Sequence, residues 1–291
     1  MAIDIQQFQR EACYQAKDSP QAILADIAVI RGLDTVAEGK QRLWGWLSVL
    51  FLVVGGIALL VGGPGTIVGI IFLMGFGVAL LIRRGHKNSN VEDRRYELVA
   101  GLLPLLEADM NPDALIDINL DLRELESHAK LDRTEDFGRI TERYYVDPWL
   151  KISGRFLDGT SFQIGFLDRM RVRHVVKYSA SGKRKSKTKR KAKLSIVVQL
   201  KVKPDRYPAL PHVADSSKGA VQIPPGCVVL GLKSNGPTLS LKVEPPDYWD
   251  AEVPGEPAAD PSGANIIAMM MLSLYQVLTL AKTIDKGQKS A

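Results

Sequence analysis

Charge is missing from one long stretch of this chain, and cysteine and histidine are scarce throughout. The two cysteines, Cys13 and Cys227, lie far apart and match no ligand spacing. That excludes a disulfide framework and a paired-cysteine metal site, and thiols in a reducing compartment should stay reduced. The four histidines, His86, His128, His174 and His212, have no Cys or carboxylate partner at ligand spacing. His174 alternates with apolar residues and reads as a satisfied core or edge histidine. Gly-x-Ser-x-Gly and His-Glu-x-x-His motifs are absent, so nothing marks a nucleophile, base, metal or cofactor. The chain therefore reads as non-catalytic, with no catalytic residue, cofactor or metal expected. An enzyme whose site is assembled from distant residues is the least favoured alternative.

From residue 43 to residue 82 there is no charged side chain. Forty residues of helix would measure about 60 Å, roughly twice a bilayer's hydrocarbon core. Gly62, Gly63, Pro64, Gly65 and Thr66 break the run near its middle, so it reads as two spans, 43–61 and 67–82, joined by a tight turn. A buried helical hairpin in a soluble protein is the plain alternative. Lys40 and Arg42 precede the run, Arg83, Arg84 and Lys87 follow it, and the turn is uncharged. Positive flanks stay cytoplasmic, so both termini are expected inside, at the plasma membrane if the source is bacterial. Trp44 and Trp46 stand at the first edge, where indoles favour the headgroup zone. The pairs Ala58/Gly62, Gly65/Gly69 and Gly75/Ala79 put small residues four apart. That spacing lets helices approach closely, here the two spans or, less directly, a second copy of the chain. The run begins too late and after acidic residues, which excludes a cleavable signal peptide.

The rest divides into an N-terminal helical segment (1–40), the membrane hairpin (41–84), a linking helix (85–112) and a cytoplasmic domain (113–291). Two short helices are expected before the hairpin, the first over 4–17 and the second after Pro20. Asn90 is positioned to cap the linking helix. Ile116, Ile118, Leu120 and Leu122 then alternate with Asp117, Asn119, Asp121 and Arg123, the pattern of a half-buried strand. Asp117, Asn119 and Asp121 resemble the opening of a calcium loop, but Leu122 replaces its glycine and His128 its bidentate glutamate. Strands continue from residue 139 to 167. A three-residue turn of Leu157, Asp158 and Gly159 would pair Ile152 with Ile164 and set Phe162 over Gly154. Another strand pair is expected at 228–232 and 239–243, then a polar linker at 250–261 and a helix over 264–284. That helix is uncharged in its body, yet a third span would send Lys282, Lys286 and Lys289 outside, against the charge rule. The expected fold is thus an α+β membrane protein. A two-span transmembrane hairpin carries a cytoplasmic antiparallel sheet covered by the long C-terminal helix.

Acidic residues are absent from 169 to 203, where fourteen Lys and Arg occur. The whole chain is +6, this segment is +14, and the remainder is therefore −8. Met170, Val172, His174 and Val176 alternate with Arg169, Arg171, Arg173 and Lys177, and a return strand covers 194–202. Between them Lys183, Arg184, Lys185, Lys187, Lys189, Arg190, Lys191 and Lys193 read as a loop too charged to fold upon itself. These twelve cations form the candidate site for an anionic surface. Inner-leaflet headgroups are preferred, because each nearby Lys or Arg gains roughly 1 kcal/mol there. Nucleic acid is the second reading, weakened because only Tyr178, at the loop's edge, could stack on a base. A partner protein, or a merely solvated tip, completes the alternatives. The expected function is a membrane-anchored binding or scaffold protein.

Overall fold

The computed structural model describes residues 3–61, 63–87, 93–178, 182–214, 216–251 and 261–290. Two compact units are present, Asp26–Glu92 and the combination of Met1–Ala25 with Asp93–Ala291.

The first unit is helical. A short helix, α1 (Ile5–Glu11), belongs to the second unit, and α2 (Pro20–Val61) begins there and runs on into the first. Turning at Gly63, the chain returns as α3 (Pro64–Lys87). Bare backbone lets α2 and α3 touch: a Cβ on Gly69 would stand 3.0 Å from the Gly55 carbonyl oxygen and 2.7 Å from Leu59 Cγ. Phe51 and Phe72 meet edge to face at 5.8 Å, and Gly75 lies beneath the Phe51 ring. Of the small residues singled out for packing, Gly69 and Gly75 are therefore at this contact. Ala79 is buried, Ala58 is half-buried, and Gly65 stands in the first turn of α3. Gly62 lies outside the described residues. Gly55, not singled out by the four-residue spacing, meets Gly69 backbone to backbone.

The second unit is an eight-stranded antiparallel sheet with helices on one face. Its strands are β1 (Cys13–Asp18), β2 (Ile116–Asp121), β3 (Leu131–Asp136), β4 (Ile140–Arg155), β5 (Ser161–Tyr178), β6 (Arg184–Lys201), β7 (Val228–Asn235) and β8 (Thr238–Glu244). The order is β1-β2-β4-β5-β6-β8-β7, with β3 pairing beside β2 on β4. The β4–β5 register sets Ile152 opposite Ile164 and Gly154 opposite Phe162, and Gly159 takes φ 84° in the turn. A Cβ on Gly154 would approach the Phe162 ring to 2.7 Å, which is why that position is bare. Pro148 sits where the β4 register shifts, the place a strand tolerates a residue without an N–H.

Inward residues such as Ile118, Ile164, Phe166, Val198 and Leu241 are buried under α4 (Asp93–Glu107) and α6 (Gly263–Ser290), with the short α5 (Leu210–Ala214) beside them. Arg42–Leu60 within α2 and Gly263–Asp285 within α6 are long and apolar enough to cross a membrane, and Thr66–Ile82 is a shorter apolar helix. Composition alone does not separate a span from a core helix. In α6 the burial of Ile266, Ile267, Met270, Leu274 and Leu278 does, because that face packs on the sheet.

Four expectations differ from the structure. The helix after Pro20 is not short but continues as α2 to Val61. The helix expected over 4–17 stops at Glu11, because Ala12 adopts φ 48° and donates its N–H back to Phe8. Residues 13–18 then pair with β2 as an edge strand. Strand β3 was not expected, since its polar sequence offers no apolar alternation and its order comes from pairing with β4. The charged loop is instead mostly strand, because β6 begins at Arg184 and pairs residue for residue with β5. The Asn90 cap and most of the 250–261 linker lie outside the described residues.

A buried ion cluster fastens α4 to the middle of the sheet. Arg95 is 2% exposed and Asp147 wholly buried, with Arg95 Nη2 2.9 Å from Asp147 Oδ2 and 3.8 Å from Asp168 Oδ2. Lys130 Nζ lies 2.8 Å from Asp147 and 3.3 Å from Asp121, and the Arg95 guanidinium stands 5.0 Å from the Trp149 ring centroid. Removing one member of such a cluster leaves its partner charge buried and uncompensated. Arg95→Leu should therefore cost about 3–5 kcal/mol, read by urea unfolding followed through Trp149 and Trp249 fluorescence. A loss under 1 kcal/mol would show the cluster to be dispensable. Burial pushes the Asp121 carboxyl up, but hydrogen bonds from Arg123, with the charges of Lys130 and Arg123, outweigh it and hold the pKa down. A lowered pKa stabilises the fold above the ordinary carboxylate range, and that contribution disappears as pH falls through the lowered value. Arg123→Ala should accordingly move the acid unfolding transition, below about pH 4, to higher pH.

Candidate functional site: a cation ladder on a two-stranded ribbon

Side chains on a strand alternate between faces, so pairing decides which charges share a surface. The β5–β6 register runs unbroken from Ser161 opposite Lys201 to Tyr178 opposite Arg184. It sets Arg169 beside Lys193, Arg171 beside Lys191, Arg173 beside Lys189, Val175 beside Lys187, and Lys177 beside Lys185. These residues share the face turned away from α4 and α6. Nine of the twelve expected cations are gathered there; Arg184 and Arg190 lie on the opposite face and Lys183 lies in the turn.

Neighbours neutralise part of this ladder. Glu142, opposite Arg173 on β4, has Arg173 Nε at 3.2 Å and Arg171 Nη1 at 3.7 Å. Tyr144 donates to the same carboxylate at 2.7 Å, and that bond heads the causes that hold its phenol above the ordinary pKa. Lys193 donates to Glu244 at 2.8 Å, which raises the ammonium's pKa. On the other face Arg190 pairs with Glu126 and His174 Nδ1 meets Thr188 Oγ1 at 3.1 Å. Lys177, Lys185, Lys187, Lys189 and Lys191 are exposed and make no ion pair with a described residue. Same-face residues recur about every 7 Å along a strand, a distance at which two unit charges in water repel by about 0.6 kcal/mol. The main-chain ladder therefore holds the lysines against one another.

Over residues 184–195 the outer edge of β6 has no strand beside it among the described residues, because β8 pairs only with Ile196–Lys201. At the other end of the same face lies an open cleft of about 430 Å³, lined by Lys17, Asp117, Ser153, Arg155, Gln163 and Lys201 among others. Its polar groups are of mixed sign and match no nucleophile–base arrangement. No group of three metal-ligating side chains occurs among the described residues.

Glu142, Glu126 and Glu244 are parts of the site that the sequence reading missed. They are separated from the cations they engage by 31, 64 and 51 residues respectively, counting Glu142 to Arg173, Glu126 to Arg190 and Glu244 to Lys193. Phe137, at the apex of the β3–β4 turn, was missed too. Its signal was available, an apolar residue before glycine in a charged stretch. The fold defines the chain as an α+β protein carrying a one-sided basic ribbon. Comparison with family models, curated proteins and solved structures finds no match to it.

Proposed function

We propose that this chain is a membrane-anchored, non-catalytic binding or scaffold protein whose cation ladder engages the anionic headgroups of the inner leaflet. The observation that supports this reading is the column Lys185, Lys187, Lys189 and Lys191, exposed on one face and free of ion pairs with described residues. Lysines on an open edge also discourage edge-to-edge aggregation. Edge protection does not account for Arg169, Arg171 and Arg173, whose strand is paired on both sides. A flat anionic surface accounts for both columns.

The anchor in this reading is the α2–α3 hairpin, with Arg42–Leu60 as the first span and the shorter Thr66–Ile82 as the second. Positive flanks then keep both termini cytoplasmic. Because chain connectivity holds the ribbon near the bilayer, weak individual attractions suffice. A nucleic acid is served less well. Tyr144, on the ladder's side of β4, is bonded to Glu142 and covered by Arg133 at 4.3 Å, and Tyr178 lies on the opposite face with Arg184.

The full chain, held in neutral nanodiscs, should co-sediment with phosphatidylserine vesicles but not with neutral ones. Binding should weaken steeply with salt, since exposed charges are screened over about 10 Å at 0.1 M. Retention of an oligonucleotide without vesicle binding would replace lipid by nucleic acid. For topology, a cysteine placed by Thr66→Cys should react with an impermeant reagent outside intact cells, and one placed by Ser290→Cys should not. External labelling at position 290 would overturn the arrangement with both termini inside.

A further inference from the structure

We infer that the end of the sheet where the β3–β4 and β5–β6 turns meet is a bilayer-inserting tip, with Phe137 and Tyr178 entering the interfacial zone of an anionic leaflet. The inference rests on the lipid reading above and adds an apolar component to it. In an antiparallel run β3-β4-β5-β6, the first and third turns must lie at one end and the β4–β5 turn at the other. The contacts agree. The Val176 N–H donates to the Arg139 carbonyl at 2.8 Å, and the Arg139 guanidinium stands 5.9 Å from the Tyr178 ring centroid.

Phe137 is 61% exposed and Tyr178 58% exposed. The Phe137 ring is not needed for its turn. Other bonds fix that turn: the Phe137 N–H donates to the Ile140 carbonyl at 2.8 Å, and the Gly138 N–H to the Asp136 side chain at Oδ1, 3.0 Å away. Gly138, at φ 73°, supplies the left-handed residue the turn requires. Arg139 and Arg184 lie beside Tyr178, and Lys177 and Lys185 are the next pair on the ribbon's other face, all exposed, with Asp136 the acid at the β3–β4 turn. Aromatic rings ringed by cations suit an anionic interface, where the ring sits among headgroup and upper acyl atoms while the charges hold phosphate and carboxylate groups. The opposite end of the sheet also exposes an apolar residue, Leu157, but two acidic residues, Asp109 and Asp158, stand beside it against the single Asp136 beside Phe137. Charge complementarity therefore selects the Phe137 end.

The test uses the full chain in neutral nanodiscs mixed with phosphatidylserine-containing vesicles. Replacing both aromatics (Phe137→Ser with Tyr178→Ser) should weaken co-sedimentation about tenfold or more, leaving the salt dependence unchanged, because apolar burial is lost and no charge is. In a chain carrying Cys13→Ser and Cys227→Ser, a polarity-sensitive fluorophore attached through Phe137→Cys should shift to the blue on anionic vesicles. It should also be quenched by lipids spin-labelled high in the acyl chain. The same fluorophore attached through Asp158→Cys should stay aqueous. If vesicles bind but the double variant binds equally and the label at 137 stays aqueous, the tip does not insert and the electrostatic reading survives alone. If the unaltered chain ignores anionic vesicles at low salt, the lipid reading fails and the tip with it.

Discussion

Replacing Lys185, Lys187, Lys189 and Lys191 with glutamine is expected to reduce association of the full chain with anionic vesicles by about a thousandfold at low salt. Each cation near an anionic leaflet contributes roughly 1 kcal/mol, and four together approach three factors of ten. The fold should be unaffected, because all four side chains are exposed and lie against no described acid. Relief of like-charge repulsion along the column should leave the thermal midpoint unchanged or slightly raised. The comparison that separates a ladder from bulk charge is Arg190→Gln. That residue lies on the opposite face and is already engaged by Glu126. Its loss should cost about twofold or less, below the roughly fivefold of each ladder lysine. Equal losses per charge on both faces would show that net charge matters and that the ladder's geometry does not.

Deleting residues 262–291 should leave no folded sheet unit. Ile266, Ile267, Met270, Leu274 and Leu278 are buried, and each buried side chain of this size is worth roughly 1.5–3 kcal/mol. Their sum approaches the whole net stability of an ordinary domain, about 5–15 kcal/mol. The deletion also uncovers the inward faces of β6 and β8, against which α6 packs. Ser273 adds a specific tie, since its hydroxyl donates to the Gln222 carbonyl at 2.8 Å and accepts from the Gln222 N–H at 3.1 Å. The truncated chain should aggregate on gel filtration in detergent and be degraded rapidly by added protease. A monodisperse, protease-resistant truncate would mean that α6 contributes little to the sheet's stability.

Much of the architecture is legible in residue order because it depends on short-range regularities. Alternation at period two marks β2, β4, β5, β7 and β8, and one turn chemistry selects the β4–β5 register at Leu157, Asp158 and Gly159. The same regularities mislead where a strand is held by its neighbour rather than by its own pattern. Residues 13–18 look like the end of a helix until β2 is beside them, and 184–193 look like a loop because their side chains repel. Main-chain bonds to β5 outweigh that repulsion, which water reduces to about 0.6 kcal/mol per same-face neighbour. Arg95, Lys130 and Asp147 carry no pattern, being scattered across α4, a short helical turn and a bulge in β4.

Residue order alone determines the uncharged run from 43 to 82, the excess of Lys and Arg over 169–203, and the apolar stripe of the last helix. Each is a sum or a period over contiguous residues, and hydrophobicity and charge act locally. Tertiary structure alone decides that nine cations share one face while two point away, that Glu142, Glu126 and Glu244 neutralise some and leave others, and that Phe137 and Tyr178 stand at the same end. Those facts depend on strand register and turn direction, which place residues tens of positions apart within a few ångströms, and a one-residue slip would reverse every face.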